Sequence, residues 1–238
     1  MQKIRKKSRI YSIFCNKSAA LGIGAMIVFI AMVLVAGIAA SVIIQTANHL
    51  EITAAKSGDE TKDEVGTGLR VAHIEAKLDN RQKNGIWYNN SFHNLSIAVD
   101  ARAGSRDIDL STTIIEISNT SVKCILSYNT GEPEFASSVS SSGLFSTIDS
   151  TSGTNMYEQN SNSFGIVVLK DGDSSCSADT PVINRGDMVK LTVNITACFN
   201  SISPREDVWG QVIPEEGSPG VYSFRAPAST LNNVFEFY

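Results

Sequence analysis

Three histidines, His49, His73 and His93, are the side chains best suited to proton transfer or metal binding near neutral pH. None of them belongs to an HExxH metal motif, and the chain has no GxSxG nucleophile turn, no GxGxxG loop and no P-loop. His49 follows a long apolar run and is predicted to be an interfacial polar residue. The spacing of reactive residues therefore predicts a protein that is not an enzyme and that needs no cofactor.

One acidic segment, KDGDSSCSADT at 170–180, could offer oxygen ligands to a hard cation such as Ca²⁺. Its candidate ligands are Asp171, Asp173 and Asp179. The twelfth position counted from Asp171 is Val182, where an EF-hand loop needs a bidentate Glu. We therefore expect a turn with solvated carboxylates and no metal, and the same holds for the pair Asp107 and Asp109, which carries the same weak signal.

Four Asn-x-Ser/Thr sequences are potential acceptors of N-linked sugars in an exported protein. Asn94 and Asn194 fall on the polar face of alternating segments, where a bulky sugar could be accommodated. The sequence therefore predicts glycosylation of at least one acceptor. The four acceptors are Asn89, Asn94, Asn119 and Asn194.

The element that dominates the chain lies at its N-terminus. Residues 1–18 hold six basic side chains and no acidic one, and residues 19–44 form an uncharged run of 26 residues. About 20 apolar residues cross a bilayer as a helix, whereas a secretory signal uses only about 7–15, so the run predicts a membrane helix. The basic flank keeps that end in the cytoplasm and places the rest of the chain outside the cell.

Small residues recur along this run, with two pairs four residues apart, and such a strip lets helix backbones approach closely. A membrane anchor needs only to dissolve in lipid, so the strip predicts that the helix packs on other copies of itself. An ordinary single-pass anchor is the alternative. The small residues concerned are Gly22, Gly24, Ala36, Gly37, Ala40 and Ser41.

Beyond residue 50, charged residues interleave with apolar ones at helical spacing, so one helix is predicted over 20–66 and Gly66 and Gly68 end it. At 1.5 Å per residue such a helix is roughly 70 Å long, so its second half must leave the membrane.

Residues 67–238 have the period of two that is typical of strands, as in LTVNITACF at 191–199. Turn signals separate the segments, and eight or so short strands predict an antiparallel β-sandwich of the immunoglobulin-like kind. The stretch 136–163 is rich in Ser, Thr and Asn, and it predicts a long exposed loop. The predicted strands lie at 69–78, 94–99, 109–118, 121–128, 164–170, 188–198, 207–213, 220–226 and 233–237.

The charge and the cysteine content further narrow the classes of protein that fit this sequence. Residues 20–238 carry 14 basic and 24 acidic side chains, a net charge of −10, which excludes a nucleic-acid-binding surface built on clustered positive charge. Cys15 lies in the basic segment, so an exported body keeps Cys124, Cys176 and Cys198. Two interpretations of that odd number remain open: one disulfide, with Cys176–Cys198 as the favoured pair, or three isolated thiols.

The stretch GIGAMIVFIAMVLVAGIAASVIIQTA at 22–47 and the following KSGDETKDEVGTGLRV closely resemble the N-terminus of archaeal flagellins (archaellins), which are type IV pilin-like filament subunits. The resemblance is specific over residues 17–75 and extends weakly to RGDMVKLTVNI and the C-terminal tail. It implies that a prepilin peptidase removes a leader of residues 1–19 by cutting between Ala19 and Ala20. The family usually has a basic residue and Gly before the cut, whereas Ser18 and Ala19 stand here. Bacterial type IV pilins carry Glu at the fifth mature position, where this chain has Gly24.

The resemblance also implies a function, which is a subunit of the archaellum filament used for swimming. Its partners would be further copies of the chain, the membrane before assembly, and a membrane assembly platform with a motor ATPase. An archaeal adhesion pilin with the same helical core is the alternative within this class. A monomeric membrane-anchored ectodomain is the alternative from another class.

Overall fold

The structure is a computed structural model that describes residues 8–83, 86–129, 134–150, 152–228 and 232–237. Within these ranges, the side chains of 8–20 and 79–90 are outside the description. The chain divides into two compact units, Met1–Asp59 and Glu60–Tyr238.

Helix α1 comprises Ser8–Gly66, and its sequence has no proline and no internal cap that would end it earlier. At its end the Thr67 N–H donates to the Asp63 carbonyl at 2.8 Å. The chain then enters the β domain past Gly217, whose φ is 94° and where a Cβ would lie 2.2 Å from the Thr67 carbonyl oxygen. Glycine is therefore needed at 217 for this close passage.

Twelve strands are present in the described part of the second unit. They are β1 (Leu69–Lys83), β2 (Ile86–Ala101), β3 (Ile108–Asp109), β4 (Ile114–Ser118), β5 (Lys123–Tyr128), β6 (Phe135–Ala136), β7 (Ser163–Lys170), β8 (Val182–Ile183), β9 (Met188–Asn194), β10 (Asp207–Ile213), β11 (Gly220–Arg225) and β12 (Val234–Phe237).

Ten of the described strands form one sheet in the order β11-β10-β4-β5-β7-β9-β2-β1-β12, with β6 also paired to β7, while β3 and β8 form a small separate pair. The first and last strands of this order, β11 and β12, meet at the core. The ring of Phe224 in β11 stacks on the ring of Phe237 in β12, with the centroids 4.4 Å apart. The sheet thus closes over one hydrophobic core that includes Leu95, Ile97 and Leu191. The predicted class, a long apolar helix followed by a mostly antiparallel β domain, is confirmed.

Two details of the fold differ from the sequence prediction. The pairings of β7 with β5 and with β6 are parallel, so the domain is not purely antiparallel. The predicted strand 188–198 ends at Asn194, and Ile195–Cys198 form the short helix α2. The side chain of Asn194 accepts the Ala197 N–H at 3.3 Å, and this N-cap turns a segment with strand-like alternation into a helical turn.

Residues 136–163, which we call the cover segment, are predicted as a long exposed loop, and the structure shows that part of this loop is buried. Between β6 and β7 the described residues form one 3-10 turn, Leu144–Ser146, and one isolated β-bridge between Ile148 and Asn155. However, Phe145, Met156 and Tyr157 are buried in a second apolar cluster together with Val167 of β7. The cover segment therefore packs on the outer face of the sheet half that contains β7.

Candidate functional site

The apolar half of α1 is the most unusual surface of the chain. Every residue from 21 to 50 is exposed in the single chain, with Leu21 at 75% and Val33 at 54%. Removing one Leu, Ile or Phe side chain from water is worth roughly 1.5–3 kcal/mol, so a run of this length is unstable in water by tens of kcal/mol. It needs an apolar environment, which either lipid or other protein must supply.

Length and composition make α1 able to cross a membrane, and among the described residues this holds for one helix, Leu21–Gly66. Polar groups near the end of its apolar run are satisfied within the helix. The Thr46 hydroxyl donates to the carbonyls of Val42 and Ile43 at 3.0 and 2.9 Å. The Thr46 hydroxyl therefore remains hydrogen-bonded when this part of the helix lies in an apolar environment.

The small residues of the run have no steric role inside the single chain. A Cβ placed on Gly22, Gly24 or Gly37 would have no heavy atom within 4 Å beyond the helix backbone. Ala36 and Ala40 lie on the same exposed helix. If these residues serve packing, the partner must be another molecule. The backbone of Ala19 and Ala20, the predicted leader cleavage site, is helical, but their side chains lie outside the described part.

The acidic cluster has a different membership from the prediction. Oxygens of Asp171, Asp173 and Asp187 all lie within 4.8 Å of one another, and Asp179 is not part of this group. Asp187 is not among the ligands predicted from the sequence, because it lies in a later turn, directly after Gly186, whose φ is 101°.

The same carboxylates already accept hydrogen bonds from the protein. Asp171 accepts the N–H groups of Ser174 and Cys176 at 2.8 and 3.1 Å, and Asp187 accepts that of Asn184 at 3.0 Å. The Asn184 side-chain amide donates to Asp173 at 2.6 Å and lowers its pKa. The oxygen chemistry suits a hard cation, and the hydrogen bonds hold the turn without one.

The predicted acceptors of sugars lie in very different environments. Asn94 is only 3% exposed, so the prediction that a bulky sugar could be accommodated there is wrong. Asn194 is half-buried, and its amide donates to the Gln159 carbonyl at 2.7 Å. Asn119 lies in the turn after β4 and accepts the N–H of Val122 at 2.7 Å. The side chain of Asn89 lies outside the described residues.

The disulfide joins Cys124 of β5 to Cys198 at the end of α2, with their Cα atoms 6.0 Å apart. Cys176 is the buried free thiol, and burial raises its pKa to about 12. The favoured pair Cys176–Cys198 is therefore wrong. Cys176 lies in the acidic turn, whereas the α2 turn that the sequence did not predict brings Cys198 to β5.

The histidines have separate structural surroundings. His49 is exposed on α1, and His73 Nε2 lies 3.5 Å from Glu75 Oε1. His93 is fully buried, with Nδ1 2.9 Å from the Thr196 hydroxyl. The described contacts thus place the three residues on an exposed helix, beside a partly buried carboxylate and in a buried polar pair.

Comparison with known proteins identifies the class to which this arrangement belongs. The family model for archaeal-type flagellins matches residues 19–224. The chain belongs to this family. It is 38% identical to flagellin B2 of Methanocaldococcus jannaschii over 94% of this chain and 96% of that protein. It is 36% identical to flagellin B3 of Methanococcus voltae, with 92% of this chain and 95% of the relative covered.

Solved archaeal flagellins share the architecture. The crystal structure of flagellin FlaB1 from Methanocaldococcus jannaschii has a TM-score of 0.54 and 25% identity, and the match covers 71% of this chain and 96% of that one. The archaeal flagellum of Methanospirillum hungatei has a TM-score of 0.58 at 13% identity, with 90% and 98% covered, which shows a common fold. The predicted resemblance to archaeal flagellins is confirmed.

Proposed function

We propose that this chain is the structural subunit of an archaeal flagellar filament that serves swimming, and that the exposed apolar run of α1 packs among identical helices in the filament. The observation that carries the proposal is the complete exposure of residues 21–50 in a member of the archaeal-type flagellin family. A helix that is apolar on every side needs partners all around it, and a helical homopolymer supplies them.

Assembly is then an exchange of apolar environments. Lipid solvates the run before assembly, and neighbouring subunits replace the lipid contacts in the filament. Because water is excluded in both states, the transfer avoids the cost of tens of kcal/mol that water exposure would bring. Gly22, Gly24, Ala36, Gly37 and Ala40 allow the close backbone approach that makes protein contacts competitive with lipid.

Processing and partners follow from the same proposal. Residues 1–19 form a basic leader that a prepilin peptidase removes between Ala19 and Ala20, and residues 20–66 form the helix that becomes the filament core. Residues 67–238 form the extracellular domain. A membrane assembly platform and a motor ATPase, which are separate proteins, insert and rotate the subunits. The chain itself performs no catalysis, and among the acceptors whose side chains are described the turn residue Asn119 is the one proposed to carry an N-linked sugar.

The decisive experiment uses material sheared from cells. We expect electron microscopy to show filaments, N-terminal sequencing to start at Ala20, and a deletion strain to stop swimming. Recovery of the chain only as single, uncleaved molecules from membranes would refute the filament proposal. The adhesion-pilin alternative predicts instead that the deletion strain loses surface attachment and still swims.

A further inference from the structure

The outer faces of the two halves of the β-sheet differ in exposure: the cover segment lies over one face, and the described part of the chain leaves the other exposed. Over β2, β9 and β7 the outer face is buried beneath the cover segment. Ser96 and Thr192 are fully buried there, and the Gln159 amide of the cover segment donates to the Thr192 hydroxyl at 2.7 Å. Over β4, β5, β10 and β11 the outer face carries large apolar side chains that the described part of the chain leaves exposed.

We call this second surface the open face. Its register is set by the strand pairing: Glu116 pairs with Ile125 of β5 and with Gln211 of β10, and Gln211 pairs with Val221 of β11. These residues therefore form one row across four strands, and other exposed apolar side chains lie on the flanking rows. The exposed apolar residues of the open face are Ile114 (40%), Ile125 (55%), Trp209 (45%) and Val221 (71%).

The charged groups on the open face neutralise one another. Lys123 Nζ lies 2.8 Å from Glu116 Oε1, and Arg225 Nε lies 3.6 Å from Asp207 Oδ1. The Gln211 amide donates to Glu116 Oε2 at 2.9 Å. Covering this face would therefore bury no unpaired charge, and much of the hydrogen bonding of its polar side chains is already formed within the face.

Charge decides which partner fits. Residues 20–238 carry a net charge of −10, so two copies of this chain repel over most of their surfaces. On the open face two bases pair with two acids, so a second copy can approach there without that repulsion. A basic partner would instead be attracted to the acidic remainder of the surface and would gain nothing from a neutral, apolar face.

We propose that the open face docks against a second copy of this chain in the filament, with Trp209 and Val221 buried in the contact. The inference rests on the proposed filament function and adds to it a contact made by the outer domain, separate from the packing of α1. Exposed aromatic and aliphatic side chains, with the charges among them paired to one another, are typical of a protein–protein interface.

A cysteine footprint tests the proposal on the full chain. Ser223 lies on the open face, paired with Trp209, and is exposed, so Ser223→Cys should be tolerated. Ser142→Cys places the same probe on an exposed position of the cover segment. Each variant is labelled with a maleimide in intact filaments and in unassembled subunits solubilised from membranes with a mild detergent. Cys176 is buried and supplies the same background in both variants.

We expect the thiol at 223 to react about tenfold more slowly in filaments than in free subunits, and the thiol at 142 to change by less than about twofold. Equal rates at 223 in both states would overturn the docking proposal and leave the filament function intact. Equal protection at 223 and 142 would also overturn it, because the assembly would then screen the whole domain. If no filaments form at all, the filament function itself fails, and this inference fails with it.

Discussion

Gly165 of β7 is the residue at which the cover segment meets the sheet most closely. A Cβ at this position would lie 2.6 Å from the Met156 methyl carbon and from Gln159 Nε2, and 2.8 Å from Thr192 Oγ1. The Asn194 amide, which donates to the Gln159 carbonyl, holds the cover segment on the same part of the sheet. A side chain at 165 would therefore force the buried side chains of Met156, Gln159 and Thr192 to shift.

Gly165→Ala is therefore expected to destabilise the domain by about 1–3 kcal/mol, the range typical of overpacking, and to loosen the cover segment first. Urea unfolding of the detergent-solubilised chain and protease cleavage within 137–162 measure the two effects. Gly172→Ala is the matched control, because a Cβ there meets nothing within 4 Å. Equal protease resistance of the two variants would contradict the expectation.

Glu134 immediately precedes β6, is 9% exposed, and its Oε2 has no hydrogen-bond partner among the described residues. Burial raises its pKa, and the nearby carboxylates of Asp149 and Asp179 raise it further. Asp149 behaves oppositely: burial opposes its ionisation, but N–H groups of Ser152, Phe135 and Glu134 outweigh this and lower its pKa. Glu134 is the carboxyl of this pair that the fold disfavours in its charged form.

The sign of the pH effect follows from this raised pKa. The folded state binds the Glu134 proton more tightly than the unfolded chain does. The resulting contribution to the free energy of unfolding is fully present below the pKa of Glu134 in the unfolded chain, and it is lost as the pH rises through the pKa of Glu134 in the folded state. Glu134→Gln keeps the shape and cannot ionise, so we expect the variant to be more stable than the parent at pH 7 and equal to it near pH 3.5. Urea midpoints at the two pH values measure this. Glu215→Gln, at an exposed position, should show no such difference.

At the scale of elements, the strength of a repeating pattern decided what could be predicted. β4, β5 and β11 alternate strictly between exposed and buried residues, and the sequence located all three. The cover segment has isolated apolar residues, Phe145 and Met156, without a period, so nothing in the sequence indicated that they form a cluster. Helix α2 was missed because one N-cap hydrogen bond from Asn194 overrides the local alternation.

Two glycines of α1 allow a matched test of helix packing. Gly37 lies in the small-residue strip and Gly58 lies outside it, and a Cβ on either meets nothing within 4 Å in the single chain. Gly37→Leu should still enter the membrane, but it should lower the yield of sheared filaments about tenfold or more, since it prevents close backbone approach. Gly58→Leu should stay within about twofold of the parent. Equal yields from both variants would remove the packing role of the strip.

The whole molecule combines two surfaces with different tasks: an apolar helix that must always be covered, and an acidic domain that faces solvent. The charge on residues 20–238 keeps assembled filaments soluble and apart. In the proposed assembly, the uncharged run allows a subunit to pass between lipid and protein without contact with water. Both properties depend on the strict separation of charge along the chain.

Val33→Lys breaks that separation in the middle of the run. A lysine at the centre of a membrane helix costs about 2.5–3.5 kcal/mol in insertion, and its charge would also be buried without a partner among packed helices. We expect filaments to disappear from the cell surface, measured by electron microscopy and by immunoblotting of sheared material. Val33→Leu, which preserves the apolar surface, should assemble as the parent does. Normal filaments with Val33→Lys would show that the run is not buried.

The sequence by itself determined the long apolar helix, the β-rich outer domain and the membership of the flagellin family. These features follow from short-range patterns, namely an uncharged run, a period of two and an N-terminal segment that resembles those of archaeal flagellins. The tertiary structure alone decided the pairing of Cys124 with Cys198, the entry of Asp187 into the acidic cluster, the burial of Asn94 and the exposure of the open face. Each of these joins residues far apart in the chain, and their proximity is set by strand order and by the cover segment, which local patterns do not encode.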